Sequence, residues 1–221
     1  MTWQETLNLW KNYDALDPVL KEELANNQDE EALKDAFGAN LSFGTAGMRG
    51  VLGAGPNRMN VYTVRQATEG LAQLIEEAGQ AAKDRGVAIS YDSRHYSPEF
   101  AMEAALVLGR HGIKSYVFES LRPTPELSFA VRYLNTYAGI MITASHNPAA
   151  YNGYKVYGED GGQMPPEDAD KLTEFVRAVE NPLTVEVGDK TELLGSGVVE
   201  IIGDRVEQAY LEEMKAVTIN P

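Results

Sequence analysis

Three short apolar runs, residues 87–91, 114–118 and 138–143, alternate with stretches whose apolar residues recur at helical spacing. That alternation limits the fold more than any other feature of the chain. Val61, Val64, Ala67, Leu71, Leu74, Ile75 and Ala78 follow the period of a helix, with Asn60 as its cap. Ser97-Pro98-Glu99 opens a second helix that Gly112 stops, and a third follows the turn Arg122-Pro123-Thr124-Pro125. A fourth strand is predicted over 154–157, and a helix from Pro165 or Pro166 to about Val179. Strand, helix and strand in turn give an α/β chain, doubly wound, with a mixed, mostly parallel sheet layered between helices. In such sheets ligands sit beyond the carboxyl ends of the strands. Asp92 and the polar loop after Thr143 both fall there.

The flanks differ in character. Residues 1–40 read as a helical extension of three short helices over 2–13, 17–26 and 29–37, with Pro18 following the cap Asp17. Gly38, Gly44, Gly47, Gly50, Gly53 and Gly55 then make a helix impossible, so loop and strand edge are predicted. The main α/β domain is assigned to 41–190. Beyond Asn181-Pro182 the composition turns polar and strand-like, and the helix predicted from Asp204 to about Lys215 has no sheet of its own. Residues 191–221 are therefore expected to be a linker and the start of a second, truncated domain.

An apolar fraction of 43% in 221 residues is ample for a packed core. The absence of cysteine excludes disulfides, cysteine zinc sites and thiol nucleophiles. No signal-like or membrane-length apolar run occurs, so the expected location is cytoplasmic. A net charge of −14 speaks against nucleic acid or an anionic membrane as partner. Its distribution says more. Residues 36–68 and 127–158 hold no acid and together carry +5 over 65 positions, leaving −19 for the remainder. Core segments also lack acids, but both windows contain polar, glycine-rich loops. They read as two walls of an anion site in an otherwise repellent protein.

The most informative stretch is Thr143-Ala144-Ser145-His146-Asn147-Pro148, continuing through Tyr151-Asn152-Gly153-Tyr154-Lys155. It resembles the catalytic-serine loop of the α-D-phosphohexomutases. Gly44-Thr45-Ala46-Gly47-Met48-Arg49-Gly50 is similar to that family's arginine loop, and Tyr91-Asp92-Ser93-Arg94 followed by Ser97-Pro98 to its strand-end signature. The three stand in the family's order over about 42–155, and the pattern leans toward the bacterial phosphoglucomutase branch.

The resemblance implies a serine phosphorylated at rest, here Ser145, which gives its phosphoryl group to a hexose phosphate and recovers one from the resulting bisphosphate. Glucose 1-phosphate and glucose 6-phosphate would be interconverted through glucose 1,6-bisphosphate, which also serves as activator. A phosphomannomutase or phosphopentomutase of the same family, or a non-catalytic sugar-phosphate-binding module, are the other readings. Ser145 sits on a loop after a strand, where backbone N–H groups can hold an oxyanion. Lys155 matches the family's acid–base position, work a lysine can do when cations and partial burial favour its neutral form. Arg49, among glycines, can grip phosphate oxygens and by resemblance assists catalysis. Thr45, His146 and Asn147 join the phosphate-binding set. Asp92 and Arg94 are assigned to structural support, with Arg94 pinning loops through a fork-like pair with a carboxylate such as Asp92.

A serine hydrolase fits poorly. Ser145 and His146 are neighbours that point apart in an extended loop, there is no Gly-x-Ser-x-Gly elbow, and only His95 and His111 remain as bases. The family also implies Mg2+ bridging the phosphoserine and three alternating aspartates of a second domain. Asp168-Ala169-Asp170 is the nearest approach, but it falls in the first turns of a helix, where acids favour the dipole. Ser145, through its phosphate, is then the one metal ligand, and neither the aspartate loop nor a glutamate-rich sugar loop is present. The resemblance therefore implies C-terminal domains as partners, and inactivity of these residues alone.

Overall fold

The computed structural model describes residues 1–44, 47–217 and 219. The chain opens with α1 (Trp3–Lys11), α2 (Pro18–Asn26) and α3 (Glu30–Phe37), each started by a side-chain cap at Thr2, Asp17 or Asp29. Helices of eight or nine residues do not persist alone in water. These are held by a shared apolar cluster in which Trp10 meets Phe37 and Tyr62 edge-on at 5.7 and 5.4 Å. The Tyr62 hydroxyl accepts from the Asp17 N–H at 2.8 Å and donates to the Ala15 carbonyl at 3.1 Å, so a buried polar tip ties the extension down.

There follow β1 (Phe43–Gly44), β2 (Gly47–Val51), α4 (Val61–Ala78), α5 (Gln80–Arg85), β3 (Val87–Tyr91), α6 (Ser97–Arg110) and β4 (Ser115–Phe118). The rest comprises α7 (Thr124–Tyr133), β5 (Ala138–Ile142), β6 (Tyr151–Tyr157), α8 (Pro166–Ala178), α9 (Lys190–Ser196), β7 (Val199–Ile202) and α10 (Asp204–Ala216). All seven strands form one sheet in the order β1-β2-β6-β5-β3-β4-β7. β5, β3, β4 and β7 are mutually parallel; β6 is antiparallel to β5, and β2 to β6. β2 therefore runs with the parallel set again, and the sheet is mixed but mostly parallel, as the alternation predicts.

Strand alternation sorts the core into two layers. Val87 and Ile89 of β3 and Ile140 and Ile142 of β5 pack with α4, α6 and α8 on one face. Ala88 and Met141 pack with α7 and α10 on the other. β3 and β5 are buried at every position, which is why they read as continuous apolar runs.

Three features depart from the sequence reading. The strand predicted over 154–157 begins at Tyr151, because the polar Asn152 finds buried partners. The short helix α5 had no apolar signature. The domain change assigned at 191 is not seen: β7 pairs in parallel with β4, from Ser115↔Val199 to Phe118↔Ile202. The helix said to lack a sheet is α10, whose Val206 is wholly buried beside Phe118 and Ile202 of this same sheet and Leu127 of α7.

Candidate active site

β3 and β5 lie side by side and both end at the same edge of the sheet, with Asp92 N–H donating to the Ile142 carbonyl at 3.1 Å where they diverge. The chain after β5 turns at once. The Ser145 N–H donates to the Thr143 hydroxyl at 2.9 Å, and the Asn147 N–H to the Ala144 carbonyl at 3.0 Å, closing a tight turn. Ser145 takes φ of +55°, a left-handed backbone that costs a non-glycine residue about 1–2 kcal/mol. The loop is therefore not extended at Ser145, contrary to the sequence reading; the backbone reverses there and lifts the hydroxyl outward, exposed.

What offsets the strain is Arg94. Its side chain is 13% exposed, and its guanidinium donates to four carbonyls of the serine loop: Nη2 to Ser145 at 2.9 Å and Asn147 at 2.7 Å, Nη1 to Pro148 at 2.9 Å and Tyr151 at 3.0 Å. The fork predicted toward a carboxylate is thus turned on backbone oxygens. Asp92 makes a looser pair with Arg94 Nε at 3.5 Å, while its Oδ1 accepts from the Arg94 N–H and the Ser97 hydroxyl, both at 3.0 Å.

β6 supplies the facing group. Lys155 Nζ donates to Ser145 Oγ at 2.8 Å. From the neighbouring β2, where Arg49 lies opposite Gly153, Arg49 Nη1 donates to Asn147 Oδ1 at 2.9 Å. Two glycines make this approach possible. Gly47 has φ of +82°, and a Cβ there would run into the Tyr154 carbonyl and lie 2.9 Å from the Lys155 Cα. A Cβ on Gly153 would meet the Thr143 and Met48 carbonyls at 2.7 and 2.9 Å.

Of the five cations in the two acid-free windows, Arg49 and Lys155 converge on the serine loop. Arg58 pairs with Asp35 at 2.6 Å, Arg65 with Glu103, and Arg132 lies exposed on α7. His146 is exposed and makes no hydrogen bond among the described residues; Thr45 lies outside them. His111, between Glu69 at 2.9 Å and Glu76 at 3.2 Å, stands at the far end of α6 and cannot serve Ser145. Sequence reading did not assign Ser97 and Asn152, whose buried polar groups the structure links to Asp92. A polar residue inside an otherwise buried strand was the available signal.

A hollow of about 570 Å³ flanks the loop, lined by Leu52, His95, Tyr96, Glu99, Ala149 and Ala150. Ser145 and Lys155 are not in its wall, so the pair stands on an open face. The residues present do not make a magnesium site. Among those described, no group of three or more histidine, aspartate or glutamate side chains could hold a metal, whereas hard divalent cations take about six oxygens. Asp168 sits in the first turn of α8. No helix is long and apolar enough to cross a membrane.

Sheet, loop and lysine together define an α/β/α domain with an exposed serine, in contact with a lysine, at the carboxyl edge of its strands. Residues 40–182 match the family model of phosphoglucomutase/phosphomannomutase, alpha/beta/alpha domain I. The chain belongs to the phosphoglucomutase/phosphomannomutase family. A phosphoglucomutase of Staphylococcus saprophyticus is 41% identical over 95% of the chain, and one of Staphylococcus aureus strain USA300 is 42% identical over 78%. A Thermus thermophilus structure described as a phosphomannomutase superposes with a TM-score of 0.65 at 30% identity, over 80% of this chain and 36% of its own. The chain spans 37% and 31% of the length of those two Staphylococcus relatives.

Proposed function

We propose that the chain is the serine-bearing first domain of a phosphoglucomutase, interconverting glucose 1-phosphate and glucose 6-phosphate through glucose 1,6-bisphosphate. The observation that carries this reading is the 2.8 Å contact of Lys155 Nζ with Ser145 Oγ, beside Arg49 on Asn147. Relatives named phosphoglucomutase favour glucose over mannose or pentose phosphates. Cytoplasm is the proposed location.

Phosphoserine 145 gives its phosphoryl group to a sugar hydroxyl: the P–Oγ bond breaks, a P–O bond to the sugar forms, and the hydroxyl proton passes by way of Lys155 to the freed Oγ. The bisphosphate then presents its other phosphate; that P–O bond breaks, a P–Oγ bond forms, and the Oγ proton passes by way of Lys155 to the freed sugar oxygen. Arg49 and Lys155 supply positive charge where phosphoryl oxygens pass. Arg94 holds the loop so that Oγ stays in line. Mg2+ is the metal this reading calls for, with its remaining ligands outside the described residues, and glucose 1,6-bisphosphate is the activator that restores the phosphoserine.

Protein purified from its own cells should carry phosphate on Ser145, adding about −1.5 to −2 charge at neutral pH. Intact-mass and peptide mass spectrometry read it. Phosphate elsewhere, or none even after incubation with glucose 1,6-bisphosphate and magnesium, overturns the assignment. A non-catalytic sugar-phosphate binder would hold the sugar phosphate without turnover.

A further inference from the structure

We infer that Asn152 is a positioning residue that sets the separation of Lys155 from Ser145, an inference that rests on the phosphoryl-transfer reading above. Asn152 is 0% exposed, yet it is one of the most polar residues that could occupy a buried strand. Both of its donors and one of its two acceptor lone pairs are used. Nδ2 donates to the His95 carbonyl at 2.9 Å and the Ser97 hydroxyl at 3.0 Å, and Oδ1 accepts from the Gly153 N–H at 2.8 Å.

Those bonds continue without a gap into the serine loop. The Ser97 hydroxyl, itself fully buried, donates a hydrogen bond to Asp92 Oδ1 at 3.0 Å. The same oxygen accepts the Arg94 N–H, and the Arg94 guanidinium grips the carbonyls of Ser145, Asn147, Pro148 and Tyr151. One end of this chain of bonds is the strand that carries Lys155; the other is the loop that carries Ser145. The links from Asn152 through Ser97 and Asp92 to the Arg94 N–H are buried or half-buried, where a lost partner is expensive, while the contacts of the guanidinium with Ser145 and Pro148 are exposed.

Asn152 does not itself face the reacting atoms. Tyr154 and Val156 share its side of β6 and pack with α4 and α6, whereas Lys155 and Tyr157 point the other way. It acts through Ser97, Asp92 and Arg94. Without the amide, β6 remains paired to β5 and β2, but the segment from Asp92 to Ser97 loses its buried tie to the interior of β6 and keeps only Arg94 on the Tyr151 carbonyl at the strand's start. The serine loop, less firmly held, can then shift against Lys155. A displacement of about 1 Å at reacting groups costs roughly 10²-fold in rate.

The test is Asn152→Asp, which keeps size and the Gly153 contact but removes both donors. In protein purified at its natural length, kcat should fall by up to about 10²-fold while KM changes much less. Independently of turnover, amide hydrogen exchange over 144–150 and 93–97 should quicken together while α4 stays protected. Wild-type exchange over 144–150 overturns the inference, as does an unchanged kcat. If wild type itself shows no turnover, the proposed function fails and the exchange result alone decides the positioning. Should Asn152→Asp not fold, Ser97→Ala breaks only the middle link and must show the same paired loss of protection.

Discussion

Lys155 Nζ and Ser145 Oγ stand 2.8 Å apart although neither strand end would bring them together without the turn at Ser145. On the proposed function, the contact places the proton-relaying amine beside the atom that carries phosphate. Lys155→Met should therefore lower kcat by roughly 10²–10⁴-fold with a much smaller change in KM. Steady-state kinetics with glucose 1-phosphate decide it. A rise in KM alone would make Lys155 a phosphate-binding residue, and an unchanged kcat/KM would leave it a surface lysine.

These 221 residues by themselves are expected to fold cooperatively and to show no mutase turnover. The sheet and both its apolar layers are complete enough to melt as a unit. Charge on the transferring phosphoryl group would be met by Arg49 and Lys155 without a metal ion, since the described residues gather no metal-binding cluster. A circular dichroism melt and a coupled assay with magnesium and glucose 1,6-bisphosphate test both halves. Turnover near that of a whole mutase sinks the second.

Gly47→Ala should destabilise the fold by about 1–3 kcal/mol and weaken the Arg49 contact more than the Lys155 contact. The added methyl strikes the Tyr154 carbonyl, and the φ of +82° is one that alanine resists. β2 must then move off β6, carrying Arg49 from Asn147. Urea melts give the first effect. A crystal structure of the variant with Arg49 Nη1 still on Asn147 would refute the second.

Glu126 predicts a pH effect on stability. It is 3% exposed, and burial pushes its carboxyl above the ordinary value of 4.5, with the Arg122 guanidinium opposing the shift from 3.2 Å. A raised carboxyl binds its proton more tightly when folded. Its contribution to stability is thus full below pH 4.5 and lost as pH rises through the folded value. Glu126→Gln does not titrate, so its stability relative to wild type should improve as pH rises from about 4 to 7. The opposite trend in urea melts would mean that the Arg122 pair outweighs burial.

How much of this could be read from the sequence depended on where the information lies. β3 and α4 were legible because each residue's own polarity reports its side of the core. Ser145, Lys155 and Arg49 were legible as a long motif, and the structure brings all three together. Arg94's true partners were not, because carbonyl oxygens belong to every residue and leave no trace in composition. Nor was β7, four residues at a sheet edge with Glu200 and the exposed Ile201 between buried ends. The Asn152 network was hidden for a related reason. A polar residue in a strand announces a partner without saying which.

The pairing of β2 with β6 also sets a timetable. Met48 waits for Tyr154, made roughly a hundred residues later, which at ~5–20 residues per second is about 5–20 s of synthesis. Through that interval the nascent β2 segment offers an unmatched backbone edge to anything nearby. Long, apolar, β-branched segments in that position invite wrong partners. This one reads Gly47-Met48-Arg49-Gly50-Val51, with a charge at its centre and two glycines. The residues that later let β2 press against Lys155 are thus the ones that keep it from sticking to other chains while it waits on the ribosome.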